Sequence, residues 1–152
     1  MYARILVPLD GSDTANLGFE EAVAIARAMK STLVLLHAVD AFPVLAEMAS
    51  ASSYQQIEEG TRRYGEDVLT RARSTAADHG VPAETRLVEA TTGRAADVIV
   101  REARDLGCEL IVMGTHGRRG FSHLMMGSDA EAVARAATVP VLLVRHADAR
   151  HG

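Results

Sequence analysis

The sequence predicts one doubly wound α/β domain, in which an open parallel sheet of five strands carries helices on both faces. Short apolar runs, most of them without polar alternation, are typical of strands that are covered on both faces. Segments with apolar residues at helical spacing separate these runs, and this alternation indicates βαβ units with right-handed crossovers. A chain of 152 residues has the length of one ordinary domain. We expect residues 1–146 to form this domain and residues 147–152 to be a polar C-terminal tail.

The first half of the chain alternates buried strands with polar turns. Asp10 and Ser12 supply turn and N-cap chemistry directly after the first apolar run. Gly80 suits the left-handed position at the C-terminus of a long charged helix. The predicted elements of this half are a central strand at 5–9, a helix to about 30, a strand at 32–39, a loop over 40–53 and a helix from about 54 to 80.

The second half continues the same alternation. Its first strand alternates polar and apolar residues, which predicts an exposed edge strand. The other two strands are apolar, apart from Glu109 at the start of the first, and are therefore expected to be buried. We expect the five strands in the order 3-2-1-4-5. The predicted elements of this half are strands at 84–89, 109–113 and 140–144, a helix from about 92 to 107 and a helix from 128 to about 137.

The composition excludes some classes of function. Hydrophobic residues make up 48% of the chain and charged residues 24%, as in globular proteins rather than disordered ones. A formal net charge of −4 provides no basic field for a phosphate backbone, and few aromatic residues are present for base stacking. We therefore expect no nucleic-acid partner. The apolar run near the N-terminus is too short for a signal sequence or a membrane span, so we expect a cytoplasmic protein with no membrane contact.

Several residues with reactive or polarisable side chains are predicted to belong to the core. Cys108 is the single cysteine, so it cannot form an internal disulfide or a thiolate metal site, and its position suits a small core residue at a strand entry. His37 lies within a buried strand, as a core histidine with its hydrogen bonds satisfied. Met125 and Met126 precede a glycine and are expected to pack in the core.

Two segments follow strands that we expect to be neighbours, one after the first strand and one after the fourth. In open α/β sheets the ligand crevice lies outside the carboxyl ends of the strands, where the strand order reverses. In the second segment Gly114 and Gly117 are separated by two residues. Nine further residues then lead to Gly127 and Ser128 at the start of a helix.

The residue types of this pattern suit a ligand that carries phosphate. Glycine allows positive φ and a close approach of the backbone, and it leaves N–H groups that can point inward as an anion nest. The first turn of the following helix attracts negative charge by about 0.3–2 kcal/mol. The Ser128 hydroxyl is expected either to cap this helix or to contact phosphate or a metal ion.

This pattern resembles the universal stress protein family, whose ATP-binding members carry Gly, two residues, Gly, nine residues, Gly and a small hydroxyl residue. Other stretches are similar to the family as well: Ile-Leu-Val-Pro-Leu-Asp-Gly-Ser at the start, Leu-Leu-His-Ala-Val-Asp, Gly-Cys-Glu-Leu-Ile-Val-Met-Gly and the closing Val-Pro-Val-Leu-Leu-Val-Arg. The similarity extends over about residues 3–145. The glycine spacing is specific here because it falls between a strand and a helix.

The resemblance implies a role for each matching position. Asp10 would lie on the ribose and metal side, Pro8 and Ala38 would wall the adenine, and Gly114 would lie beneath the ribose. Mg²⁺ or Mn²⁺ would bridge the phosphate oxygens, with Asp10 and Ser128 as indirect metal contacts. The residues expected along the phosphate chain are Thr115, His116, Gly117, Arg118, Arg119, Gly120, Gly127, Ser128 and Asp129.

Some of these positions have an alternative interpretation. Asp129 departs from the family pattern, since a carboxylate would oppose a triphosphate. It is either a solvent-facing acid in the first turn of a helix or a group that helps to hold the metal ion. Arg118 and Arg119 either contact phosphate or are solvated surface residues. Asp10 is either a ribose or metal ligand or a turn residue that caps the first helix.

These observations predict an ATP-binding sensor or regulatory protein of the stress response, which acts on a protein partner that the sequence does not identify. ATP occupancy would change the loops at residues 40–53 and 118–126. One alternative is a dimeric interaction module that binds no nucleotide. Another is a slow ATPase, although no Walker lysine or well-placed general base indicates a dedicated enzyme. We expect a homodimer, because the last strand, Val141 to Val144, is an apolar edge that can pair with its twin.

Overall fold

The computed structural model describes residues 1–40, 50–90, 94–116 and 126–145. Within these ranges, five strands form one parallel sheet in the order β3-β2-β1-β4-β5. The predicted fold class and strand order are therefore confirmed. The strands are β1 (Arg4–Pro8), β2 (Thr32–Asp40), β3 (Ala83–Ala90), β4 (Leu110–Gly114) and β5 (Val141–Val144).

Four helices connect the strands in the described part of the chain. The first and the fourth start close to the predicted positions. The third begins at Ala95 rather than near residue 92, and the second begins at Ala51 rather than near Tyr54, so the predicted loop over residues 40–53 is too long. The reason is local: the Ser50 hydroxyl accepts a hydrogen bond from Ser53 N at 3.3 Å and caps the helix. The helices are α1 (Asp13–Met29), α2 (Ala51–Asp78), α3 (Ala95–Asp105) and α4 (Ser128–Ala136).

The two faces of the sheet bury separate cores because side chains alternate along each strand. Ile5 and Val7 of β1 pack with α1 and α2, whereas Leu6 packs with α3 and α4. Full burial of a side chain such as Leu6 contributes about 1.5–3 kcal/mol. This double cover accounts for the continuous apolar runs of the central strands.

Helix α2 is 28 residues long, and its two halves differ in burial. Its buried residues begin at Gly65 and continue with Leu69, Ala72 and Ala76. In the first half, Ile57 leaves 39% of its surface exposed and Tyr64 leaves 41%. Only the second half of α2 is therefore fixed by the core of the domain.

Charged side chains link neighbouring elements at the amino-terminal ends of the strands. Arg4 Nη2 lies 2.8 Å from Glu84 Oε2, and Arg4 Nε donates to Leu106 O at 3.0 Å. The hydrogen bond between the two charged groups raises the pKa of Arg4 and lowers the pKa of Glu84. The nearby Cys108 is buried, as predicted for a core residue, and this burial raises the pKa of its thiol.

Two further core predictions have different outcomes. His37 is buried and hydrogen-bonded, as expected. Met126 leaves 41% of its surface exposed, so its prediction as a core residue is wrong, and Met125 lies outside the described residues. The reason is its place: it directly precedes the N-cap of α4, where the chain has not yet packed onto the sheet.

No helix in the four described ranges is both long enough and apolar enough to cross a membrane.

Candidate functional site

The carboxyl ends of β1 and β4 meet at the centre of the sheet. The two strands are paired through Ile5 with Leu110 and through Leu6 with Ile111. From β1 the chain continues to β2 on one side, and from β4 it continues to β5 on the other. The strand order therefore reverses between these two strands, which is where open α/β sheets form a ligand crevice.

The turn after β1 is fixed by its own polar groups. Asp10 Oδ1 accepts a hydrogen bond from Ser12 N at 2.9 Å, which is an Asx turn. Ser12 Oγ accepts from Ala15 N at 3.1 Å and is the N-cap of α1. Asp10 is thus a turn residue, but the predicted alternative in which it caps the first helix is wrong, because Ser12 fills that position.

The start of α4 is tied to the end of β4. Thr115 N donates to Val144 O at 3.0 Å, and Gly127 N donates to Thr115 O at 2.6 Å. These bonds bring the N-terminus of α4 to the carboxyl ends of the central strands, where Asp10 also lies. The Gly127 N–H is already used in this bond, so any anion at this point would be bound by the amides that follow it.

The N-cap of α4 is Gly127, and Ser128 is the first helical residue. The predicted alternative in which the Ser128 hydroxyl caps the helix is therefore wrong: a side chain at the first helical position is one residue too late to act as the cap. Ser128 and Asp129 are both exposed, as predicted for a solvent-facing acid in the first turn. Asp129 and Glu131 are the acidic residues of that turn, where they complement the helix dipole.

Gly114 lies where the first turn of α1 approaches β4 most closely. A Cβ at this position would be 2.5 Å from Thr14 O and 2.7 Å from Thr14 C. Gly18, one turn further along α1, contacts the same strand: a Cβ there would be 3.0 Å from Gly114 N. This backbone contact is a packing reason for glycine at 114, independent of any ligand, and it was not predicted from the sequence. The role of Gly114 beneath a ribose stays a prediction.

His116 presents a buried polar atom that has no hydrogen-bond partner among the described residues. Thr115 is buried, and its Oγ1 lies 2.9 Å from His116 Nδ1. In the described part of the chain, His116 Nε2 is the buried side-chain nitrogen or oxygen that lacks a hydrogen bond. Such a group is rare in folded proteins, and a ligand atom is one of the partners that can satisfy it.

Pro8 and Ala38 are suited to contact a ligand from the sheet. Both are only half-buried. Ala38 packs against the core on the α3 and α4 face, and the alternation along β1 directs Pro8 to that face as well. Since Pro8 pairs with Leu36 of β2, the two residues lie close together at the carboxyl ends of adjacent strands.

The structure brings only part of the predicted site together. Pro8, Asp10 and Ala38 lie at the same edge of the sheet as two short segments, residues 114–116 and 127–129. Gly117, Arg118, Arg119 and Gly120 lie outside the described residues. Within the described ranges, no three His, Cys, Asp or Glu side chains form a group that could hold a metal ion.

The family of the chain follows from its sequence over nearly the whole length. A model of the universal stress protein family matches residues 1–145. The chain belongs to this family. Universal stress protein MJ0531 of Methanocaldococcus jannaschii is 32% identical over 145 residues, which cover 95% of this chain and 83% of that relative. Universal stress protein YxiE of Bacillus subtilis is 31% identical over 151 residues, which cover 95% of this chain and all of YxiE.

Solved structures agree with the fold of this universal stress protein. The hypothetical protein MJ0577 superposes with a TM-score of 0.85 at 25% identity, covering 98% of this chain and 99% of its own. A universal stress protein solved in complex with cAMP has a TM-score of 0.71 at 25% identity, covering 94% and 97%. An Arabidopsis thaliana member with AMP bound has a TM-score of 0.69, covering 96% and 93%, and at 16% identity it shows the fold alone.

Proposed function

We propose that this universal stress protein binds an adenine nucleotide, with ATP as the expected ligand, and acts as a regulatory sensor in the stress response. The observation that carries the proposal is the tie between Gly127 N and Thr115 O at 2.6 Å. It brings the N-terminus of α4 to the carboxyl ends of the central strands, where the turn after β1 with Asp10 also lies, and this supports a shared site.

The residues present are chemically suited to such a ligand. Pro8 and Ala38 offer half-exposed apolar contacts for the base. The Asp10 carboxylate can accept hydrogen bonds from ribose hydroxyls, and His116 Nε2 is a buried nitrogen that needs a partner. The start of α4 favours phosphate through its N–H groups and dipole. The complex of a relative with cAMP gives independent support for an adenine nucleotide.

Arg118, Arg119 and the glycines at 117 and 120 are proposed to follow the phosphate chain, as the glycine pattern predicts. Mg²⁺ or Mn²⁺ would neutralise phosphate charge when bound. Asp10 and Ser128 are the side chains that we propose on the metal side, acting through the phosphates or water. We also propose that the protein is a cytoplasmic homodimer paired through Val141 to Val144 of β5, which forms one edge of the sheet.

The first experiment is denaturing extraction of the purified protein, followed by chromatography for adenine nucleotides. Thermal shifts with Mg·ATP, AMP and cAMP then rank the ligands. Retained ATP or ADP, or a shift with Mg·ATP, supports the proposal. An empty protein that ignores all three nucleotides would instead be an interaction module. Release of ADP from Mg·ATP at about one turnover per second or faster would indicate an enzyme.

A matched pair of variants tests the site itself. Asp10→Asn keeps an oxygen that can accept from Ser12 N, but it removes the charge and one acceptor. We expect nucleotide binding about 10- to 100-fold weaker, the value of hydrogen bonds to a charged group. Asp13→Asn makes the same change on the exposed first residue of α1 and is the control. Equal affinities for the two variants would remove Asp10 from the site.

A further inference from the structure

Two ring side chains bind consecutive carbonyl groups of the turn after β1. His37 Nδ1 lies 2.7 Å from Leu9 O. Because a carbonyl oxygen can only accept, Nδ1 of His37 carries a proton. Tyr64 Oη donates to Asp10 O at 3.1 Å. The two peptide groups that flank the Asp10 Cα are therefore held by β2 through one ring and by α2 through the other.

The two rings also contact each other. Their centroids are 6.1 Å apart and their planes are inclined by 69°, an edge-to-face arrangement. Gly65 provides the space for this contact, since a Cβ at this position would lie 2.5 Å from His37 Cδ2 and 2.8 Å from Leu87 Cδ1. Glycine weakens the interior of a helix relative to alanine, so the room it leaves for the His37 ring is a physical reason for its presence.

The two carbonyl bonds complete the fixation of Asp10. Leu9 N donates to Leu36 O at 2.8 Å, and Asp10 Oδ1 accepts from Ser12 N at 2.9 Å. With His37 and Tyr64 in place, the backbone before the Asp10 Cα is hydrogen-bonded to β2 and the backbone after it to α2. The backbone from which the Asp10 side chain extends is therefore held in part by residues on the α2 face of the sheet.

Simple packing does not account for the Tyr64 bond. Tyr64 leaves 41% of its surface exposed, so water is available to its hydroxyl in place of Asp10 O. His37 is buried, and its neighbour Ala38 packs on the opposite face, where the base is proposed to bind. The His37 and Tyr64 rings thus contact the turn after β1 from the face of the sheet that is opposite to Ala38.

We propose that His37 and Tyr64 are positioning residues of the nucleotide site, which act through the carbonyls of Leu9 and Asp10 to orient the Asp10 carboxylate. This inference rests on the proposed function, in which Asp10 binds the ribose or the metal side of the nucleotide. Neither ring needs to touch the ligand. Loss of either bond leaves the Asp10 side chain present but less well oriented, and affinity falls.

The test begins with Tyr64→Phe, which removes one oxygen from a partly exposed side chain. Calorimetric titration uses whichever of Mg·ATP, AMP and cAMP the wild type binds most tightly. We expect Tyr64→Phe to bind about two- to tenfold more weakly, the value of one hydrogen bond, with an unfolding temperature close to that of the wild type. Tyr54→Phe makes the same change on the exposed half of α2 and is expected to bind like the wild type.

Two variants of His37 provide the second measurement. His37→Leu removes the donor, and His37→Asn restores an N–H at the same number of bonds from the backbone as Nδ1. We expect the Asn variant to recover part of the affinity that the Leu variant loses, which a role in packing alone would not produce.

Each outcome separates the two proposals. A wild type that binds none of the three nucleotides overturns the proposed function and this inference with it. A wild type that binds, with Tyr64→Phe and His37→Leu equally tight, overturns the inference alone. Equal weakening of Tyr54→Phe and Tyr64→Phe also overturns it, because the effect would then belong to α2 as a whole.

Discussion

Replacement of Gly114 by alanine tests whether this glycine is required for packing as well as for any ligand. Gly114 is buried at the end of β4, under the first turn of α1. The added methyl group would lie 2.5 Å from Thr14 O, 2.7 Å from Thr14 C and 2.7 Å from Thr14 Cγ2. Two of these atoms belong to the backbone, so a change of rotamer cannot relieve the contact and the first turn of α1 has to move.

The size of the effect follows from these distances. Overpacking by one methyl group typically costs about 1–3 kcal/mol, and a backbone neighbour that cannot yield puts Gly114→Ala in the upper part of that range. For a domain of this length, each 1 kcal/mol lowers the unfolding temperature by about 2–4 °C. We therefore expect a loss of about 2–3 kcal/mol and of roughly 5–10 °C, in the absence of nucleotide.

Urea unfolding followed by circular dichroism measures this change, with an unchanged m-value as the sign that both proteins unfold in the same way. Gly60→Ala is the control, because a Cβ at this exposed position of α2 meets nothing within 4 Å. Its helix should gain about 0.5–1 kcal/mol. If Gly114→Ala unfolds at the same urea concentration as the wild type, the packing argument is wrong and only a ligand role remains for this glycine.

Two further predictions concern the edges of the sheet. Because Arg4 lowers the pKa of Glu84 in the folded chain, the pair stabilises the fold above the ordinary carboxyl pKa of about 4.3 and loses this effect as the pH falls through the lower folded value. Because solvent screens this pair, Glu84→Gln should lower the free energy of unfolding by less than about 1 kcal/mol at pH 7 and should not change it at pH 2. Urea unfolding measures both values, and an equal loss at the two pH values would contradict this prediction. At the β5 edge, we expect a dimer in sedimentation equilibrium at micromolar concentration. Leu142→Lys should weaken this dimer because it places a charge on an exposed residue of the edge strand, and a monomeric wild type would rule out pairing through β5.

The fold was predictable from the sequence because its strongest signals are local. The apolar runs of β1, β2 and β4 reflect strands that are covered on both faces, and the turn residues between them mark where helices begin. The same signals predicted that Asp10 and Gly114 lie at the carboxyl ends of the two central strands, which is where the structure has them. The edge strand β3 was also predictable, from its alternating pattern.

The features that could not be predicted from the sequence depend mostly on contacts between segments that are far apart in the chain. Nothing near Gly18 or Gly114 in the sequence indicates that their backbones meet, and nothing near Gly65 indicates the His37 ring. The start of α2 was missed because its first turn carries no apolar periodicity. Ser128 was a reasonable cap by residue type, but the glycine before it has the extended φ and ψ of an N-cap.

The uneven burial of α2 divides the helix into two parts with different thermodynamics. From Arg62 onward α2 is tied to the sheet, first by the ion pair of Arg62 with Glu89 and the contacts of Tyr64, then by the buried residues from Gly65. The residues before Arg62 are mostly exposed and have a helix–coil equilibrium governed largely by their own sequence. That sequence contains Gly60, and isolated helices of this length are marginal in water. The first three turns of α2, residues 51–61, can therefore melt and re-form while the Tyr64 contacts and the sheet stay intact.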